Sequence, residues 1–202
     1  VTRHLDFYFD FISPFGWLAS LRIDALAARH GYTTQWHSML LGVSVLKVMG
    51  MKPLRQYPLK GDYLKHDLLR YMRRHGIRIG RDLDTPPANP VPAGRIFHII
   101  QDSNPEEAKT VARHLLKAYW GDGRDIGHAE LALDLASEVG ADRQMLADAL
   151  ASGEGDRLLR AAVDRSLARG VFGSPFFIVD DEPFFGLEKM ELLEDWLSTQ
   201  GW

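Results

Sequence analysis

The chain has 202 residues, 46% of them hydrophobic and 25% charged, with a formal net charge of −3. That suits one large globular domain, or a domain with a sizeable insertion, and argues against a nucleic-acid surface. There is no cysteine, which excludes a disulfide, a thiolate metal site and a redox couple within the chain.

Leu5, Phe7, Phe9 and Phe11 alternate at period two and predict a first strand. Leu18, Ala19, Leu21, Ile23, Leu26 and Ala27 then recur at helical spacing and predict one helix. Between them, Ser13-Pro14 is a helix-start signature: serine caps an orphan amide, and proline gives up an N–H the first turn cannot use. Ser13 is therefore expected at the positive end of a helix, where anions are stabilised. Gly31-Tyr32 closes this unit, and 33–36 predicts a second, parallel strand. Residues 39–51 read as helical and 63–75 as a helix. The arginines of 70–74 read as a solvated helix face.

Residues 84–94 hold Pro86, Pro87, Pro90 and Pro92 and predict an irregular loop. From 93 to 169 nearly everything reads as helix. Asn104-Pro105-Glu106-Glu107 is a start signal for a helix reaching 120. Further helices are predicted from 125 to about 140, over 142–151 and over 156–169. Near the end, Ser174-Pro175 opens an apolar run, Asp180-Asp181-Glu182 is a turn, 183–186 is a second short run, and 187–197 is a closing helix. The layout is β-α-β, a helical block, then β-β-α.

The eight histidines contain no pair three or four apart, so no helix presents two facing metal ligands and no metal site is expected. Gly-x-Ser-x-Gly, Gly-x-Gly-x-x-Gly and the Walker phosphate loop are all absent. The opening residues read as a strand rather than an export signal, and no apolar run approaches the roughly 18–20 residues of a membrane helix. A soluble cytoplasmic protein, without membrane or nucleic-acid partners, is the expectation.

Several blocks, in order, resemble one known family. Phe9–Phe15, Leu40-Leu41-Gly42 with Lys47 and Gly50, Tyr57-Pro58 with Lys60-Gly61 and Tyr63, Pro87-x-Asn89-Pro90 with Ala93-x-Arg95, Gly170–Pro175, and Phe185-Gly186 with Met190–Glu194 resemble the 2-hydroxychromene-2-carboxylate isomerases. These are DsbA-like proteins related to kappa-class glutathione transferases. Ser13 stands where a disulfide oxidoreductase of the DsbA type carries its first cysteine. The resemblance implies an α/β thioredoxin-like fold with a large all-helical insertion. It places the thioredoxin-like part in 1–38 and 170–202 and the insertion in 39–169. It also implies glutathione as a catalytic thiol and a small aromatic substrate, with a homodimer as the expected assembly. Ser13 would activate the thiol, and Pro175 would be cis. Ser174, Pro175, Gly186, Leu187 and Glu188 would hold glutathione, and Lys47, Lys60, Tyr63 and Asn89 would face the substrate. Met51 and Leu187 replace polar residues of the family pattern, and Glu188 replaces an aspartate. A kappa-like transferase and a non-catalytic peptide-binding protein are the alternative activities.

Overall fold

In a computed structural model, residues 3–202 are described. The period-two run forms β1 (Arg3–Phe9), and β2 (Tyr32–Ser38) lies parallel to it, with Phe7 opposite Trp36 and Tyr8 opposite His37. β3 (Phe176–Val179) pairs antiparallel with β1, and β4 (Glu182–Phe185) pairs antiparallel with β3. The sheet order is β2-β1-β3-β4. Asp180 and Asp181 turn the β3–β4 hairpin, both with positive φ, the pair of conformations a tight two-residue hairpin needs.

The single helix expected after Ser13 is two: α1 (Pro14–Ser20) and α2 (Ile23–Arg29). Leu21 is half exposed, so its apolar character misled the pattern. The Ser20 hydroxyl turns back onto the Trp17 carbonyl, and the Arg22 amide bonds the Ala19 carbonyl where the two helices meet. Residues 39–51 form no regular helix; a wide π-type turn spans Gly42–Val48. α3 (Lys60–His75) starts three residues before its expected start.

The proline-rich loop ends sooner than expected. α4 (Val91–Ser103) begins inside it, with Pro92 in the first turn, where a missing N–H costs nothing. α5 (Pro105–Leu116) has Asn104 as its cap, and a π-type turn continues over Lys117–Gly121. α6 (Ala129–Glu138) starts later than the expected 125. α7 (Arg143–Ala151) is capped by Asp142, and α8 (Glu154–Ala168) follows. The closing segment opens as a 3-10 turn over Leu187–Lys189 before α9 (Met190–Thr199). No described helix is long and apolar enough to cross a membrane.

One face of the sheet carries Leu5, Phe7, Phe9, Trp36 and Phe177, all essentially buried. This layer is continuous with the buried side chains of α4, α5 and α6. Phe7 and Phe9 meet Trp36 edge-on at 5.0 and 5.4 Å, and Phe97 of α4 meets Phe9 at 5.5 Å. Such edge contacts add about 0.5–1.5 kcal/mol each to the burial itself. The other face has a smaller cluster of Tyr8, Met39, Val171, Phe176 and Ile178. That asymmetry leaves a polar cleft beside Tyr8.

Candidate functional site

β1 ends at Phe9, and the next four residues fold onto the carboxyl end of the sheet. The Ser13 amide donates to the Asp10 carbonyl at 3.0 Å, which closes the turn. Ser13 then caps α1: its Oγ accepts the Gly16 N–H at 3.0 Å. The same hydroxyl donates its proton to the Ser174 carbonyl, also at 3.0 Å. In return, Ser174 Oγ accepts the Asp10 N–H at 3.0 Å. Two serines, 161 residues apart in the chain, thus fasten the first turn of α1 to the loop before β3.

The Ser174–Pro175 peptide is cis. The Pro175 carbonyl accepts the Gly186 N–H at 3.0 Å, which brings the start of the closing segment alongside. Gly186 has φ 106°, and a β-carbon there would meet the Glu188 carboxylate at 2.6 Å. Leu187 is buried, whereas Glu188 is exposed. Ser13, Ser174, Pro175 and Gly186 are therefore linked by hydrogen bonds. Leu187 contributes only apolar packing, and Glu188 folds its carboxylate back over Gly186.

The four residues expected to face a substrate are not joined to Ser13 by any hydrogen bond among the described residues. Lys47, Lys60, Tyr63 and Asn89 are all exposed. The segments carrying Lys47 and Asn89 are nonetheless tethered to residues near the site. The Leu41 amide, just before the π-type turn carrying Lys47, donates to Asp10 Oδ2 at 2.7 Å. The loop carrying Asn89 is held by the Ala88 N–H on the Tyr119 hydroxyl at 2.9 Å. The neighbouring Trp120 donates from Nε1 to the Phe11 carbonyl at 3.0 Å and stacks on Trp17.

Three residues here were not expected as parts of the site. Asp10 is fully buried, and its Oδ1 and Oδ2 accept the Ile12 and Leu41 amides. Burial, only partly offset by these two bonds, raises its carboxyl to about 6. A lone carboxylate ending an aromatic strand was the available signal. Trp120 gave none, since its partner is a carbonyl 109 residues away. Gly16 gave none either: a β-carbon there would sit 2.5 Å from Ser174 Oγ. Gly16→Ala is expected to push Ser174 aside and break its bond to Asp10. The cost should be about 1–3 kcal/mol, measured by urea unfolding, with loss of ligand affinity greater than the loss of fold.

The site thus joins a helix start, a proton-donating hydroxyl and the carbonyl preceding a cis-proline, in a chain with no sulfhydryl of its own. The matching family model is the DSBA-like thioredoxin domain, over residues 4–198, and the chain belongs to this family. Two similar proteins are both 2-hydroxychromene-2-carboxylate isomerases. The one from Sphingobium xenophagum is 27% identical over 198 residues, 98% of this chain and 99% of its own. The one from Pseudomonas putida is 28% identical over 94% of this chain and 92% of its own. A solved 2-hydroxychromene-2-carboxylate isomerase superposes with TM-score 0.85 at 26% identity, covering 98% of this chain and 95% of that one. The cytosolic disulfide reductase DsbM of Pseudomonas aeruginosa shares the fold, with TM-score 0.66 at 18% identity over 98% of each chain.

Proposed function

We propose that the protein is a glutathione-dependent isomerase. It interconverts 2-hydroxychromene-2-carboxylate and trans-o-hydroxybenzylidenepyruvate, or a related aromatic pyruvate, in the breakdown of aromatic compounds. The observation that carries this reading is the Ser13 hydroxyl, held at the first turn of α1 with its one proton on the Ser174 carbonyl. Glutathione would supply a thiol that adds to the unsaturated pyruvate and leaves again, unconsumed.

The chain's part is an exchange of hydrogen bonds. The Ser174 carbonyl, released from the Ser13 proton, would accept an N–H of the tripeptide. Ser13 could then offer its O–H to the sulfur while keeping the Gly16 N–H as a donor to its own oxygen. A hydroxyl donor at a helix start favours thiolate over thiol. Gly16 and Gly186 keep the wall free of β-carbons, and Glu188 offers a carboxylate to the ammonium end of the tripeptide. Lys47 and Lys60, neither in an ion pair among the described residues, offer cations to the substrate carboxylate. A cytoplasmic homodimer belongs to the same reading.

The test is calorimetric titration with glutathione, followed by spectrophotometric assay of the two isomers. Binding and interconversion by the unaltered protein support the proposal; absence of both at millimolar glutathione overturns it. Accumulation of a stable thioether instead indicates a transferase. A peptide-binding role has one observation in its favour. Phe172 and Phe185, each 41% exposed, lie 4.7 Å apart beside the Gly173–Pro175 loop. Peptide binding that survives Ser13→Ala, without thiol chemistry, would select it.

A further inference from the structure

On the sheet face away from the main core, α8 leaves an open cleft over β1 and β2. A cavity of about 260 Å³ there is lined by His37, His98, Gln101, Asp102, Leu158 and Arg165. A smaller one of about 120 Å³ shares His37 and Arg165 with it and reaches Tyr8 and Arg169. The residues that build the Ser13 site line neither.

The charges around the cleft are unevenly satisfied. The Asp6 carboxylate is fully engaged, by His37 Nε2 at 2.7 Å and by Arg169. Arg169 also donates to the Tyr8 hydroxyl at 2.9 Å. The Arg165 side chain, one turn earlier on α8, forms no ion pair and no hydrogen bond among the described residues. Asp102 lies at the exposed rim and is not paired with it.

His98, 4% exposed, has a mismatch of its own. Its Nε2 faces the Ser38 carbonyl at 3.0 Å, and its Nδ1 faces Gln101 Oε1 at 2.9 Å. Both partners are acceptors, and a neutral imidazole has one N–H. Gln101 cannot resolve this by flipping, because its amide nitrogen is already on the Trp36 carbonyl. Only the imidazolium satisfies both contacts. Burial, with His37 and Arg165 adding positive charge, holds His98 down to about 4 and so keeps it neutral.

We propose that this cleft binds a small oxyanion, of the carboxylate or phosphate class, on Arg165, and that binding draws a proton onto His98. The anion offsets the positive field at the ring, and the imidazolium then gives both acceptors a donor. Linkage requires the converse as well: affinity rises as the pH falls toward the titration of His98. Tyr8, His37, Asp102 and Arg169 also line the cleft, and Asp6 is bonded to two of them, His37 and Arg169. His37 stacks on Tyr8 and bonds to Asp6 in the same cleft, so the signals of the two histidines must be resolved separately.

The probe is inorganic phosphate, with acetate as the carboxylate counterpart. It is titrated calorimetrically near pH 5.5 in two buffers of different ionisation enthalpy, free of both ions. Net proton uptake is expected, and the NMR ring signals of His98 should move toward the imidazolium position on saturation. Arg165→Gln should weaken binding by about tenfold or more, the size of a lost charge-assisted contact. Ser13→Ala should leave it unchanged. Undiminished binding by Arg165→Gln, absence of proton uptake, or loss of binding in Ser13→Ala would each overturn the proposal. The last would place the ion at the Ser13 site instead. Because the NMR readout uses the unaltered protein, the inference does not depend on a His98 variant folding, nor on the isomerase reading.

Discussion

Ser13→Ala is expected to lower kcat/KM for isomerisation by roughly 10²–10³, the size seen when one pre-positioned donor to a developing anion is removed. The loss should fall mainly on kcat. Alanine removes the proton that would turn to the sulfur, but it leaves the Ser174 carbonyl and the Gly186 wall that would hold the tripeptide backbone. The substitution also frees the Gly16 N–H, so a cost of about 0.5–2 kcal/mol from the lost cap should accompany it. Ser13→Thr checks that both losses belong to the hydroxyl, because it restores the cap and the hydroxyl proton together. The measurement is steady-state kinetics with glutathione varied, alongside the thiolate absorbance of the bound complex. Equal kcat in alanine and serine forms would remove Ser13 from the chemistry and leave it a helix cap.

Much of this arrangement was legible in the residues. Ser13-Pro14 announced a capped helix start because the reason is local: one hydroxyl, one orphan amide, one proline without an N–H. The strand before it and the β-hairpin after Pro175 were legible from alternation and turn residues. What could not be read depends on burial. Leu21 looked like a core position and is exposed. Pro92 looked like a helix breaker and stands in a first turn, since proline excludes a helix interior but suits its start. Residues 39–51 are apolar enough for a helix, yet the Leu41 amide is committed to the Asp10 carboxylate, and the chain winds wider beyond it. The link from Trp120 to Phe11 and the cleft around His98 join positions 60 or more residues apart. No periodicity carries such pairings.

Asp10→Asn tests the most buried charge in the molecule. Its carboxyl is raised from 3.8 to about 6 in the folded chain. Between those values the folded state holds a proton the unfolded state has lost, so stability falls as pH rises. The contribution is fully present below about 4 and is lost as pH passes through about 6. A shift of this size corresponds to about 3 kcal/mol across the window. Asparagine does not titrate, so the variant lacks this dependence. It has a separate defect: Ile12 and Leu41 each use a different carboxylate oxygen, and an amide offers only one. The other N–H is left facing an NH2 group, at a cost of about 1–3 kcal/mol. The variant is thus expected to be less stable than the unaltered protein near pH 4. The gap should close, or reverse, by pH 7. Urea unfolding at intervals from pH 4 to 7 measures it, and the difference between the two proteins cancels every other titrating group, including Asp6, whose lowered carboxyl works with the opposite sign. A gap independent of pH would mean that Asp10 keeps an ordinary carboxyl despite its burial. A closing gap would show that the turn presenting Ser13 rests on a carboxylate held at the expense of stability.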